Sequence, residues 1–525
     1  MIITEILARN ARLFPDDTAL VERDPANGTR KSITWTEFDS VSNRIANALV
    51  KRGVKKGGSV VHLMTNCLEW LPVYFGILRT GAKAVPLNFR FTEELIAMCA
   101  NVSEASVIFF GEEFIDRVAS AKTELDLSIT TYIFTGPKEH TPRYAEHLDD
   151  FIKKSEPEFF GPEIIITDNA AIYFTSGTTG VPKGVLLTHR NLEFSCYVEN
   201  NHHSQKKEDS FLCIPPLYHT GAKMHWFGNF LVGAPAVILK GIKPDWILEA
   251  VSEEKVSIVW LLVPWAHDIL LAIERGEIKL DNYDLSRWRL MHIGAQPVPP
   301  SLIQKWGEVF PLHEFDVNYG LTEATGPGCL HLGIPNRHKT GSIGIAGFDW
   351  EFSIVDRNLD PVPLGEPGEL IVKGPGVMKE YFKNPKETAT SLVNGWLRTG
   401  DIARIDKDGF VWLLDRKKDV IITGGENIYP VEIEHFLSHH ARIQDVAVIG
   451  IPDERLGEVV AAVIKLKPGK NMTEEEVMTL CELLPRYKRP KFIYFDDVPR
   501  NPTGKIEKPA LRKKYAGIYS SFKMS

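Results

Sequence analysis

The sequence predicts an α/β protein: a large N-terminal part of alternating helices and strands, a small all-β unit, and a smaller α+β segment towards the C-terminal end. Three observations carry this. The first 100 residues alternate between helical and strand patterning, which favours a largely parallel sheet covered by helices. Near residue 340 the pattern changes to short strands joined by Pro/Gly-rich turns. Beyond a charged stretch, Asp415 to Asp419, short strands and one helix return.

Each element has a local cause. Thr34-Trp35-Thr36-Glu37 has capping-box spacing, with Thr34 as N-cap. Phe38, Val41, Ile45 and Leu49 then recur at helical spacing, and Gly53 ends the run. Val60 to Leu63 reads as a buried strand, a helix follows Asn66, and Ala82 to Leu87 reads as the next strand. Residues 165 to 330 continue in this style. Phe352 to Val355 and Glu369 to Val372 are strands joined by the turn-rich Asp360 to Gly368. Val446 to Ile449, Val459 to Ile464 and Phe492 to Phe495 read as strands, and Thr473 to Leu484 as a helix. A boundary close to 415 divides the chain into domains 1–414 and 415–525.

Composition narrows the function. With 525 residues the chain exceeds one ordinary domain. Hydrophobic residues at 44% and charged residues at 25% exclude a disordered or fibrous protein. Lys plus Arg is 61 against 68 Asp plus Glu, a net charge of −7, which argues against a generic nucleic-acid binder. The six cysteines are scattered with no C-x-x-C pair, which argues against a disulfide framework or a structural zinc site and suits a reducing cytoplasm. The start carries Glu5 and no sustained apolar core, unlike a secretory signal. The longest apolar run, Ile258 to Ala266, is broken by Pro264 and falls short of the about 20 residues of a membrane span. A soluble cytoplasmic protein without an integral membrane segment is expected, with monomer and homodimer both open.

The densest chemical signal is Tyr173 to Gly184, where an apolar strand enters a loop of Thr175, Ser176, Gly177, Thr178, Thr179 and Gly180, followed by Lys183. Glycines let backbone N–H groups approach an anion, the hydroxyls add donors, and Lys183 adds charge; a triphosphate is the natural guest. A merely Gly/Thr-rich surface loop is the bland alternative. The loop is not a Walker A motif, because Pro182 and Gly184 stand where glycine and Ser/Thr are required. No G-x-G-x-x-G occurs either, which disfavours a dinucleotide-dependent oxidoreductase.

This loop resembles the phosphate loop of the adenylate-forming superfamily, which spans acyl-CoA synthetases, peptide-synthetase adenylation domains and beetle luciferases. Further segments resemble that family in the same order along nearly the whole chain. Asn318-Tyr-Gly-Leu-Thr-Glu323 resembles the adenine and metal segment. The resemblance implies Tyr319 on the adenine, Thr322 at the α-phosphate and acyl group, and Glu323 on Mg²⁺. Gly294-Ala295-Gln296 is similar to the stretch on the other face of the purine, and Trp396 to Asp401 to the segment whose aspartate, Asp401, takes the ribose hydroxyls. Asp415-Arg416-Lys417-Lys418 resembles the hinge, with Arg416 on ribose or phosphate and Lys418 at the pivot. Thr423 to Pro430 resembles the thioester-step loop, where Gly424 and Gly425 leave room for a pantetheine chain. Pro499 to Lys505 resembles the segment bearing the catalytic lysine of adenylation, Lys505. The resemblance, closest to fatty and aryl acyl-CoA synthetases, also implies a β-barrel-like subdomain, a mobile C-terminal domain, and ATP, Mg²⁺ and CoA as cofactor and co-substrates.

His219, in Pro215 to Gly221, resembles the position beside the substrate carboxylate. Amino-acid-activating relatives carry an aspartate in this region; Tyr218, His219 and Thr220 stand here instead, which disfavours an amino acid. The expected pocket wall, His219 to Phe227, Trp260 to Trp265, His292 to Ala295 and Thr322 to Cys329, reads as mostly aromatic and apolar, with Gly326 and Gly328 leaving space. A hydrophobic aliphatic, alicyclic or aryl carboxylic acid is expected. The chain ends 20 residues after Lys505, which favours free CoA over a fused carrier domain. Alternatives are a carrier-protein-loading ligase, a luciferase-like oxygenase and a non-catalytic nucleotide-binding regulator; intact Glu323 and Lys505 speak against the last. The pairs His202-His203 and His439-His440 could suggest metal ligands, but without Cys or acidic partners at ligand spacing they are expected at the surface. Trp226, Trp260 and Trp265 are expected in core or pocket wall.

Overall fold

The computed structural model describes all residues except 125–126, 176–181, 424–425, 454, 501–505 and 523–525, and leaves out the side chains of 124 and 516–522. Two large, mainly parallel sheets form the N-terminal part. In the eight-stranded sheet, Asn169–Thr175, Lys83–Pro86, Ser59–Leu63, Val107–Phe110, Thr131–Phe134 and Glu146–His147 run parallel in that spatial order. Antiparallel Lys183–Thr188 and Glu380–Tyr381 extend its edge. In the nine-stranded sheet, Glu314–Tyr319, Leu290–Gly294, Ile258–Leu262, Phe211–Cys213, Ala236–Leu239 and Thr18–Asp24 are parallel neighbours, with antiparallel strands at both edges.

The sequence signals act where expected. Thr34 caps the helix Trp35–Lys51: its hydroxyl accepts from Glu37 N at 3.2 Å and its N–H donates to Glu37 Oε2 at 2.8 Å. The helix after Asn66, Trp70–Arg79, is buried along its whole length, as an all-round apolar helix must be. Its Phe75 packs against Phe38 and Phe230, with ring centroids 5.2 and 5.3 Å away. One apolar core joins residues of both sheets with this helix, Trp35–Lys51 and Thr220–Leu231. The apolar run 258–266 is split between a buried strand, Ile258–Leu262, and the start of the helix Val263–Glu274, with Pro264 in its first turn.

The all-β unit is a five-stranded antiparallel sheet of Glu351–Val355, Gly368–Lys373, Trp396–Ile405, Leu392–Val393 and Val411–Arg416. Its last strand pairs as far as Asp401↔Arg416. The chain then enters the small α+β part, whose sheet contains Ile421–Thr423, Glu426–Ile428, Ile443–Asp453, Gly457–Leu466 and the parallel strand Phe492–Phe495. Among the described residues no helix is long and apolar enough to cross a membrane.

Candidate functional site

Strand order places the site. After Phe211–Cys213 the chain adds Ala236–Leu239 on one side and Ile258–Leu262 on the other, so the direction of winding reverses there. Ligands of open α/β sheets bind at the carboxyl ends of strands beside such a reversal. The carboxyl ends of this strand and its neighbours lead into the His219 segment, into Val263, into Gly294-Ala295 and into Tyr319 to Glu323. A Cβ on Gly294 would lie 2.9 Å from the backbone O of Asn318, so glycine suits the close approach of these two strands. Ala295 has φ +68°, a left-handed backbone that turns the chain sharply off its strand end.

Three residues expected to touch nucleotide form one connected unit. The buried Tyr319 hydroxyl donates to Asp401 Oδ2, and Arg416 Nε meets Asp401 Oδ1 at 2.7 Å. The Asp401↔Arg416 strand register brings the last two together. Burial, then the Asp401 charge, pushes the Tyr319 hydroxyl well above its usual pKa and keeps it a donor. The Asp401 carboxylate raises the Arg416 pKa in turn. Both oxygens of Asp401 thus have partners, yet a carboxylate offers about four acceptor sites, which leaves capacity for hydroxyls.

The glycine-rich loop joins two antiparallel strands, with Thr175↔Lys183 as the last pair before it; Ser176, Gly177, Thr178, Thr179 and Gly180 lie outside the described residues. Lys183 pairs with Glu387 and stands 5.5 Å from the centre of the Tyr381 ring. The Tyr381 hydroxyl donates to Glu323 Oε1 at 2.8 Å, and Thr322 begins the 3₁₀ turn that holds Glu323. Tyr381 and Glu387 were not singled out from the sequence, because they belong to no motif and are brought to the site by the edge pairing of Glu380–Tyr381 with Val185 and Leu186.

His219 caps the helix Thr220–Leu231, its Nδ1 accepting from Gly221 N at 3.1 Å. A Cβ on Gly221 would lie 3.2 Å from Trp260, so helix and strand are in close contact here. The wall behind is less apolar than the sequence suggested. His225 and His292, both in the expected wall, are buried beside Glu199. Lys223 is buried among the rings of Trp70, Tyr74 and Tyr173, with its amine donating to Leu217 O at 3.0 Å. Burial holds that amine well below the usual lysine pKa.

The surface placement of His202-His203 is wrong. His203 is 1% exposed, its Nδ1 3.0 Å from Glu199 Oε2 and its Nε2 2.8 Å from Asp316 Oδ2. Burial alone would lower its pKa, but the Glu199 and Asp316 carboxylates raise it to about 10. His202 is half-buried and stacks on His331 at 3.9 Å. The missed signal was Glu199, four residues before His203 on one helix face. His439 is exposed and His440 half-buried.

In the C-terminal part, Lys505 and the Gly424-Gly425 pair lie outside the described residues. Arg500 Nη1 donates to Gln296 Oε1 at 3.3 Å, next to Gly294-Ala295, while its other nitrogens hold Asp445. Ile422, Glu426 and Asn427, which flank the glycine pair, are exposed. Lys418 is exposed in the turn that follows Val411–Arg416.

Asp415 is 6% exposed and accepts from Arg416 N at 2.7 Å and Val431 N at 3.0 Å. Burial raises its pKa to about 6, against the lowering effect of Lys508. The folded state therefore holds this proton more tightly than the unfolded chain. The associated stability is full below about pH 4 and is lost as pH rises through about 6, at roughly 1.4 kcal/mol per unit or about 3 kcal/mol in all. Asp415→Asn, which keeps an acceptor for Val431, is expected to remove this loss. Denaturant unfolding of both proteins from pH 4 to 7.5 checks it, and parallel stability curves would contradict it.

The strand-end rim and the Tyr319–Asp401–Arg416 unit fit what the comparisons with known proteins show, an adenylate-forming enzyme of the acid–thiol ligase class. The chain belongs to the AMP-binding enzyme family, which matches residues 7–382, with the AMP-binding enzyme C-terminal domain matching 432–505. It is 33% identical to a feruloyl-CoA synthase of Amycolatopsis sp over 97% of this chain and 98% of the relative. It is 31% identical to the long-chain-fatty-acid–CoA ligase FadD13 of Mycobacterium tuberculosis, over 97% and 98% of the two chains. The solved anthranilate CoA ligase AuaEII in complex with anthranoyl-AMP superimposes with a TM-score of 0.89 at 25% identity, covering 99% of this chain and 98% of that one.

Proposed function

We propose that the protein condenses a hydrophobic carboxylic acid with ATP to an acyl-adenylate, releasing pyrophosphate, and then transfers the acyl group to the thiol of CoA, releasing AMP. The observation that carries this is the Tyr319–Asp401–Arg416 unit, set at the strand-end rim beside Glu323, which Tyr381 links to Lys183. A carboxylate cannot acylate a thiol directly, because its leaving group would be an oxide. Attack of a carboxylate oxygen on the α-phosphorus breaks the bond to the bridging oxygen and converts that oxide into AMP, a competent leaving group. Attacker and target are both anionic, so the chain must place positive charge where negative charge grows.

Lys183, Arg416 and Lys505 are the cations assigned to that work. Phosphate oxygens compete with Glu387 for Lys183, so this pair holds the amine ready at the loop's exit. Thr322 is assigned to the α-phosphate and acyl group, and His219 to the substrate carboxylate. Asp401 receives the ribose hydroxyls, with Tyr319 and Arg416 holding its two oxygens in place. Tyr319 and Gly294-Ala295 flank the purine. Glu323, whose one oxygen is oriented by Tyr381, fits a cation that takes only one or two carboxylates beside phosphates, and Mg²⁺ held there supplies charge neutralisation. No protein nucleophile is needed for the first step. For the second, the thiol enters beside Gly424-Gly425 after the 415–525 domain turns about Lys418.

The names of the relatives, a feruloyl-CoA synthase, a long-chain-fatty-acid ligase and an anthranilate ligase, support a hydrophobic acid and CoA as acceptor. With ATP, Mg²⁺ and such an acid, AMP and pyrophosphate are the expected products. Chromatographic quantification of nucleotides across a panel of aryl, alicyclic and aliphatic acids, with and without CoA, tests this. Stoichiometric ADP, or no acyl-CoA with any acid when CoA is present, would refute it.

A further inference from the structure

Below the strand-end rim lies a buried group of imidazoles and carboxylates that the proposed reaction does not use. Glu199, His203, His225, His292, Asp316 and His331 come from two helices and three strands, and each is at most 1% exposed. The ligand atoms of His203, His292, Asp316 and His331 all lie within 4.8 Å of one another. His203 Nε2 and His331 Nδ1 converge on Asp316 Oδ2, each at 2.8 Å. The outer side of this set is anchored. Asp316 Oδ1 accepts from Gly333 N at 2.8 Å, and His203 Nδ1 meets Glu199 Oε2 at 3.0 Å. Glu199 Oε1 in turn meets His225 Nδ1 at 3.0 Å.

His292 sits at the centre, its ring 4.4 Å from that of His203 and 4.3 Å from that of His225. Among the described residues neither of its ring nitrogens has a hydrogen-bond partner, although it is fully buried. A neutral imidazole always carries one donor and one acceptor, and buried groups of this kind are rarely left unmade. From these positions we infer a closed site for one transition-metal dication of the zinc type, ligated by His203, His292, Asp316 and His331.

The chemistry of the donors selects the ion. Three imidazoles and one carboxylate suit a four-coordinate zinc-type centre, whereas Mg²⁺ and Ca²⁺ prefer all-oxygen sets. A tetrahedral site with bonds near 2.1 Å needs donor atoms about 3.4 Å apart, a contraction of up to about 1.4 Å from the present spread of 4.8 Å. Glu199 then behaves as an outer carboxylate that receives His203 Nδ1–H and fixes the tautomer that presents Nε2 to the ion. The charges also balance, because a dication with neutral imidazoles is compensated by Asp316 and Glu199. The absence of C-x-x-C pairs does not bear on this set, which contains no thiolate. His292 lies two residues before Gly294 and Asp316 three before Tyr319. An ion here would therefore stiffen the floor beneath the residues assigned to the purine. The inference stands independently of the proposed activity.

The test uses the full-length chain, loaded with excess Zn²⁺ and dialysed into zinc-free buffer containing Mg²⁺. Mass-spectrometric metal analysis is expected to find about one zinc per chain in the wild type, as a closed four-ligand site retains its metal. The Co²⁺-loaded protein should show the visible d–d absorption of a tetrahedral centre, and Tm should rise with Zn²⁺ concentration. His292→Ala and His331→Gln should each lose the metal and the spectrum. Two substitutions test both ligands, so misfolding of one variant, seen by circular dichroism, leaves the other to decide. His439→Ala/His440→Ala, which removes one exposed and one half-buried imidazole of the C-terminal part, should keep both signals. A wild type without retained zinc would overturn the inference. So would full retention in folded His292→Ala or His331→Gln, or loss confined to the His439/His440 variant.

Discussion

Lys505→Ala is expected to slow acyl-adenylate formation by about 10²–10³-fold, the usual loss for one preorganised charge donor. It should leave thioester formation from supplied acyl-adenylate nearly unchanged. Gly425→Leu should do the reverse, because a side chain there fills the space assigned to pantetheine. Both residues are assigned to the proposed 415–525 domain, yet each is assigned to a different step, so the proposal requires two orientations of that domain. Two observations support this reading. Arg500, five residues before Lys505, reaches Gln296 at the rim of the site, whereas Ile422, Glu426 and Asn427 around Gly424-Gly425 face solvent. The first orientation is therefore the one the contacts favour here. Lys418→Pro should mimic the Gly425 defect, since a φ fixed near roughly −65° removes the backbone freedom of a pivot. Pyrophosphate release and acyl-adenylate consumption, measured separately in the three variants, decide the matter. Equal slowing of both steps in every variant would rule out the rotating-domain mechanism.

Asp401→Ala is expected to weaken ATP binding about 10²-fold or more. It removes two hydrogen bonds to a charged acceptor, each worth on the order of 1.5–3 kcal/mol, and roughly 1.4 kcal/mol is tenfold. The geometry adds a second consequence. The buried Tyr319 hydroxyl and Arg416 both lose their partner, so the variant should also lose about 1–3 kcal/mol of stability. Asp401→Asn separates the effects: it keeps an acceptor for Tyr319 but removes the charge and one acceptor, so stability should largely recover while ATP binding does not. Direct titration of ATP with both folded variants, alongside their denaturation curves, provides the check. Unchanged affinity in either would be incompatible with a ribose-binding role.

What the sequence determined by itself is what is local in the chain. The capping box at Thr34, the buried strand at Ser59–Leu63 and the change to antiparallel strands after residue 350 follow from spacing within a few residues. The same holds for the segments around Thr175, Tyr319, Asp401 and Arg416, where backbone chemistry concentrates glycines, hydroxyls and charges in short runs. Only the tertiary structure decided which of these meet. Asp401 binds Tyr319 because a strand end of one sheet abuts the neighbouring sheet, and Lys183 meets Glu387 across 204 residues of chain. Periodicity reports which face of an element is apolar, not what stands opposite it. The buried histidines show the limit most plainly. A histidine pair on a polar helix reads as surface until Asp316 and His331, on adjacent strands more than 100 residues away, are brought against it. Burying such groups is costly unless they neutralise and hydrogen-bond one another, and that compensation exists only once the fold has assembled it.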